Sequence, residues 1–378
     1  MGSPGLMSRM SASGHGMHST DHADIGHNRE TSVLDIRTMS RLDDIIKVLS
    51  NKDVIHIGES HDQYSHHMAQ LEIIRAVHAT HPNLAIGMEM FQQPFQKFLD
   101  KFISGELGEQ EMLRQTEYFT RWAYDYRLYK PILDFARENG IPVVALNIEK
   151  EITSKVGDVG IKGLDAEDKK KIPTDIDDSN AIYRQQLEKV FAQHPHDDNS
   201  SFERFMQVQL LWDEGMAARV AGYLQQHPGR KMVVLAGSRH VAYGIGIPDR
   251  IRKRMAVDSA IVLPGDAASI EPGIADFIIY PRSVKLPPAG LMGVFLGQAN
   301  EDGVEATEVS ANGAAAKAGV EKGDRIYQIN DHKITTPADI KIALMNMQPG
   351  EQVSIRVNRR RLLVGNHQLE FSFELGPQ

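Results

Sequence analysis

Five short apolar runs, each separated from the next by helical patterning, constrain this chain more than any other feature. They fall at residues 54–58 (VIHIG), 85–90 (AIGMEM), 143–146 (VVAL), 232–237 (MVVLAG) and 260–263 (AIVL). Such runs are rich in β-branched residues, bounded by turn residues and too short for buried helices. Helical patterns occupy residues 63–79, 94–103, 129–139, 182–193 and 202–226. A strand that is apolar throughout must be covered on both faces, and helices between successive strands supply that cover. The spacing predicts an α/β domain over residues 33–281, with a mostly parallel central sheet flanked by helices. The charged segment 165–173 reads as a solvated helix or excursion.

A Pro/Gly-marked join at residues 281–290 (PRSVKLPPAG) precedes a change of style. Short strands are expected beyond it at 293–296, 306–309, 324–329 and 353–357, with a helix at 337–347, making a small mixed β/α module. A chain of 378 residues has room for both domains. The division is a leader (1–32), the α/β domain (33–281), a linker (282–289) and the second module (290–378). The leader lacks apolar periodicity, its Met-Gly-Ser start looks like a cloning remnant, and His15, His18, His22 and His27 are irregularly spaced along it. It shows no secretion signal, although a native leader could have been trimmed.

With 42 basic against 50 acidic residues the net charge is −8, which argues against a general nucleic-acid binder. No apolar run is long enough to predict a membrane-spanning segment. Cysteine is absent, which excludes thiolate chemistry. Sixteen histidines are present, ten of them between His15 and His81. Any metal or proton must therefore be handled by histidine and carboxylates.

Open parallel sheets bind ligands beyond the carboxyl ends of their strands. The first run leads straight into Glu59, Ser60, His61 and Asp62; the second carries Glu89 at its tip; the third ends at Asn147; the fourth leads into Arg239 and His240. Two imidazoles and two carboxylates at one sheet edge can act as general acid and base, or ligate a divalent metal through His61, His240 and Glu89. Asp62 is expected to cap the following helix. A lone histidine on a helix more often packs than ligates, but His66 and His67 follow His61 by little more than one turn and are therefore candidates. Phe205, Val208, Trp212 and Met216 read as an apolar stripe, with Gln209 within it and Asp213 beside it as polar supports for the site. Tyr64 and Tyr243 flank the two histidine motifs and could ligate iron as phenolates. Trp122, Tyr126 and Tyr129 suit a core or a ligand wall equally. HExxH, Walker and glycine-rich dinucleotide motifs are absent. Ser60 superficially resembles a nucleophile elbow without its second glycine.

The ordered blocks GESHDQYSHHMAQ, GMEMFQQ, RWAYDYRLYKPILDFARENGIPVVALN, QVQLLWDEGMA and LAGSRHVAYGIGIPDR resemble the ChaN-like haem-binding family. That family is grouped with the Tiki proteins and erythromycin esterases, which share a G-E-x-H turn and a later G-x-x-H. The resemblance implies a haem- or iron-binding protein of the bacterial periplasm or a membrane-anchored lipoprotein, linked to iron or haem uptake. A homodimer is also implied, because characterised relatives bind haem in a pocket formed with dimerisation. Glu59, His61, Glu89 and His240 match the family motifs. His61, Tyr64, His66, His67, His240 and Tyr243 are the candidate haem contacts. The fold relatives are hydrolases using the same strand-end Glu and His residues, so a metal-assisted hydrolase is the alternative, and enzymatic activity stays open.

The C-terminal blocks GLMGVFLG, ANGAAAKAGVEKGDRIYQIND and PADIKIALMNMQPGEQVSIRVNRR resemble a bacterial PDZ domain. The resemblance implies recognition of a peptide or protein C-terminus by addition to a sheet edge. Gly290, Leu291, Met292 and Gly293 would form the carboxylate loop, residues 294–296 from Val294 the pairing edge, and Ile340, Ala343 and Leu344 the helical wall. A third reading is a PDZ adaptor carried on a degenerate enzyme scaffold.

Overall fold

The five expected strands form as β1 (Val54–Glu59), β2 (Leu84–Gln92), β3 (Val143–Asn147), β4 (Lys231–Gly237) and β5 (Ser259–Pro264), joined by a three-residue edge strand, β6 (Phe277–Ile279). The computed structural model describes residues 39–193, 201–265, 270–361 and 365–377, so the leader histidines lie outside the described residues. The sheet order is β3-β2-β4-β1-β5-β6, with every pairing parallel. Each residue of β1, β2 and β3 is buried, as strands covered on both faces require. One core packs Ile55, Ile57, Ile86 and Met88 beneath the helices Tyr64–Thr80 and Lys130–Glu138. The opposite core packs Val54, Val144, Val234 and Ala236 against the long helix Phe202–Gln226 and the helix Ile247–Arg254. His56, midway along β1, is fully buried and finds no partner for either ring nitrogen. Burial, with Arg252 nearby, brings its pKa down to about 3, so it is carried as the neutral ring.

Helices not expected from periodicity include Leu42–Leu49, Glu109–Gln115, Tyr118–Arg121, Lys150–Val159 and Ile247–Arg254. Tyr118–Arg121, between β2 and β3, and Lys150–Val159, after β3, bring Arg121 and Lys150 to the site. The helix after β1 begins at Tyr64, and Gln63 precedes it without a side-chain cap. Asp62 therefore does not cap it, contrary to expectation. The charged segment does contain a short helix, Ala166–Lys169, capped by Asp165.

Beyond the join, β7 (Val294–Asn300), β8 (Gly303–Val309), β9 (Arg325–Ile329), β10 (His332–Lys333), β11 (Gln352–Arg361) and β12 (Gly365–Glu374) form an antiparallel sheet. Its order is β12-β11-β9-β8-β7, with β10 on β9, which leaves β7 at an edge. The helix Pro337–Leu344 opens with a capping box, Thr336 and Asp339 exchanging bonds. Its Ile340 and Ala343 pack in the small domain's core, with Leu344 against them. Ile342 and Met345 instead join the main domain's core. Residues 41–378 thus form one compact unit in which the second domain is docked rather than strung on a linker.

Candidate functional site

At the carboxyl edge of the main sheet the paired ends of β1 and β4 put Glu59 directly opposite Gly237. Here a cleft of about 910 Å³ opens, within the range of small-molecule sites. Glu59, His61, Glu89, Asn147, Asp213 and His240 all line it. The strand-end residues singled out from sequence therefore meet.

Glu59 is 2 % exposed, yet all its bonding capacity is used. One oxygen contacts His61 Nδ1 at 2.8 Å and accepts the Tyr129 hydroxyl at 3.0 Å. The other accepts Gln70 Nε2 at 2.9 Å and lies 3.2 Å from His67 Nδ1. Burial opposes its charge, but the imidazoles of His67 and His61 outweigh burial and hold its pKa down to about 2. The carboxylate in turn raises the pKa of His61 against its burial. With Nδ1 committed to Glu59, His61 has Nε2 left for the cleft. Trp122 and Tyr124 rest against its ring, with centroids 4.8 and 5.2 Å away.

His240 is held the same way. Its Nδ1 is 2.6 Å from Asp213 Oδ1, and Asp213 Oδ2 accepts the hydroxyl of Tyr183 at 2.6 Å. Its Nε2 lies 3.5 Å from Glu89, whose other oxygen accepts the Gly237 N–H at 2.7 Å. Burial disfavours the imidazolium, yet Glu89 and Asp213 together raise its pKa to about 9. Gly237 separates the two rings: a β-carbon there would lie 3.0 Å from His61 Cε1 and 3.6 Å from His240 Cδ2. Asn147 donates to the Glu89 carbonyl at 3.1 Å, while its own oxygen is buried without a partner.

Other expected contacts fall elsewhere. His66 and His67 are buried and are not among the residues lining the main cleft: His66 accepts the Ser60 N–H at 3.0 Å, and His67 contacts Glu59 and Gln70. Through Ser60 and Glu59 they hold residues that line the cleft. Tyr64 lines a second cavity of about 400 Å³ with Arg75, Phe135 and Met345. Tyr243 does line the main cleft, but its hydroxyl is engaged by Glu271 at 2.7 Å. The expected stripe on the long helix also needs correction. Met206, Leu210 and Met216 are buried, whereas Phe205, Gln209 and Trp212 face the cleft. Among the described residues no group of three His, Asp or Glu is placed to hold a metal ion. His61, His240 and Glu89 converge without forming one.

The residues sequence reasoning missed are Arg121, Tyr124, Lys150 and Tyr183, all on the cleft wall. Arg121 is anchored by Glu117, Glu151 and Gln92. Arg121, Tyr124 and Tyr183 lie on segments that lack a strand-end signal, and Lys150 opens the helix after β3. Only the aromatic density around Trp122 hinted at a wall.

In the second domain, Gly293 has φ +78°, and a β-carbon there would lie 2.9 Å from Gly313 Cα. The Leu291 N–H bonds the Gly376 carbonyl at 2.9 Å. Those of Met292 and Gly293 have no backbone partner among the described residues, which suits a loop that receives a carboxylate. Val294 opens the free edge strand, and Ile340 and Leu344 sit on the helix alongside.

Fold and site together define an α/β protein with a polar, histidine-bearing strand-end cleft and a docked C-terminal PDZ domain. The sequence profile described as haem-binding uptake, Tiki superfamily, ChaN matches residues 45–251, and the chain belongs to this family. The PDZ domain profile matches residues 290–375. ChaN of Campylobacter jejuni, solved with cofacial haem, is 19 % identical with a TM-score of 0.53, covering 65 % of this chain and 93 % of that one. The HtrA3 PDZ domain bound to a phage-derived ligand (FGRWV) is 19 % identical with a TM-score of 0.20, covering 24 % of this chain and 87 % of that one. Protein RETICULATA-RELATED 5, chloroplastic, of Arabidopsis thaliana is 23 % identical over an alignment of 264 residues that covers 61 % of this chain. The match spans 34 % of that protein, about a third of its length. Among the described residues no helix is long and apolar enough to cross a membrane.

Proposed function

We propose that the strand-end cleft binds haem and that the chain handles haem or iron in the bacterial cell envelope, with its PDZ domain recruiting a partner through that partner's C-terminus. The observation that carries this is the composition of the cleft wall. Trp122, Tyr124, Trp212 and Tyr243 offer aromatic surface for a macrocycle, and Arg121, Lys150 and Arg239 offer cations for propionates. His61 supplies the donor: metal-ligating histidines characteristically give their second ring nitrogen to a carboxylate, as His61 does to Glu59. Tyr124, also on the wall, is a second candidate donor, through its phenol oxygen. Bound haem would supply iron as cargo, and the chain's own residues bind and orient it. The test is a spectroscopic haem titration. His61→Ala should weaken binding at least about ten-fold, and an unchanged isotherm in that variant would remove His61 from the site.

A second reading rests on a different observation. Tyr129–Glu59–His61 and Tyr183–Asp213–His240 are two tyrosine–carboxylate–histidine relays aimed at one cleft. Relays of this kind orient imidazoles for general acid–base catalysis. This reading is a hydrolase in which His61 and His240 act as general acid and base. Hydrolysis of carboxylic esters by the purified protein, abolished by His240→Ala, would favour it over the haem reading.

A further inference from the structure

The helix Pro337–Leu344 has two faces with different obligations. One carries Ile340 and Leu344 beside the free edge strand β7, forming a wall of the peptide groove. The other is seated on the main domain, where Ile342 and Met345 complete a buried core. Asp339 accepts Arg114 Nε at 3.0 Å, and the Lys341 ammonium lies 5.6 Å from the Phe119 ring centroid. Asn346, just beyond the helix, donates to Glu109 at 3.2 Å. These partners belong to the helices Glu109–Gln115 and Tyr118–Arg121. The same stretch continues into Arg121, Trp122 and Tyr124, which line the cleft against His61.

Two backbone joints bound the short helix in this stretch. Glu117 has φ +52° and Ala123 φ +71°, left-handed conformations that cost a residue with a β-carbon about 1–3 kcal/mol. Strain of this order persists only while surrounding contacts enforce it, so the four-residue helix is poised between a PDZ contact and a cleft wall. Tyr118 inside it is fully buried and packs on Phe91, Phe119 and Tyr126, which makes the stretch a solid connection.

We propose that occupancy of the PDZ groove is coupled to occupancy of the cleft through this path, from the groove helix to residues 114–124 and the wall at Trp122 and Tyr124. The proposal rests on the reading that the cleft is the ligand site. A peptide inserted between β7 and the helix loads the helix on its groove face. The helix transmits the load because its other face is fixed to Arg114 and Phe119. Coupling of this kind is reciprocal, so haem in the cleft changes peptide affinity by the same factor as peptide changes haem affinity.

Trp122 emission is read in the full chain carrying Trp212→Phe, and haem affinity is measured in the full chain with both tryptophans, because Trp212 belongs to the cleft wall. A library of peptides with free C-terminal carboxylates supplies the tightest binder, and its amidated form is the control. The carboxylate form is expected to shift Trp122 emission and change haem affinity at least about five-fold. In Arg114→Ala/Lys341→Ala the peptide should still bind while both effects collapse. Haem binding could fail outright, which would defeat the ligand reading alone, because the Trp122 shift still reports the coupling. A library yielding no carboxylate-dependent binder overturns the proposal. So does a bound peptide that leaves Trp122 emission unchanged.

Discussion

Glu59 and His240 set the charge of the cleft, and both do so against the cost of burial. The imidazolium of His240 has a pKa of about 9 against an ordinary 6.5, because Glu89 and Asp213 face it. Its contribution to stability is therefore fully present below pH 6.5 and disappears as pH climbs through about 9. Urea midpoints should fall across that window in the native chain and lose most of this slope in His240→Asn. An unaltered slope would show that His240 is not held charged. Glu59 works in the opposite direction: with its pKa near 2 it stabilises above about 4.5 and loses this on acidification. Gly237 is a steric prediction. Gly237→Ala should cost only about 1 kcal/mol, because His61 can shift a few tenths of an ångström, yet weaken ligand binding markedly. Chemical denaturation and haem titration of the same variant separate the two effects.

Whether a residue was visible in the sequence depended on the element carrying it. The five strands were legible because burial on both faces leaves an unbroken apolar run, and chain direction then places Glu59, His61, Glu89, Asn147 and His240 at one edge. Asp213 was visible as a polar side chain beside an apolar stripe, of which Met216 and Val208 do pack in cores while Phe205 and Trp212 face the cleft. Arg121, Tyr124 and Tyr183 were not legible. They reach the cleft from excursions and a covering helix whose positions are fixed by contacts distant in sequence. The long helix Phe202–Gln226 also makes an element-scale prediction. Gly215 lets it approach the end of β3, since a β-carbon there would sit 2.1 Å from Ile148 Cδ1. Gly215→Ala should destabilise by about 1–3 kcal/mol through overpacking and displace the Asn147 corner. A thermal shift close to zero would mean that the helix can retreat without penalty.

For the whole molecule, the composition of the main core alters the picture of two domains on a linker. Ile342 and Met345 of the PDZ domain are buried with Tyr118 and Tyr126 of the α/β domain. Residues 41–378 are accordingly expected to unfold in one calorimetric transition, and deletion of residues 290–378 should lower the stability of what remains. Two separated transitions would show that the docked surfaces contribute little. The sequence marked the join through its prolines and the change in strand spacing, but could not show which helix face would be shared.

The central claim is that a haem-sized ligand occupies the strand-end cleft against His61 and its aromatic wall. The most direct measurement is a Soret titration of the full chain with haem, run beside His61→Ala and Tyr124→Phe. A saturable new band at micromolar haem, weakened at least about ten-fold in one of these variants, is the predicted result. No new band, or identical isotherms in all three proteins, would contradict it.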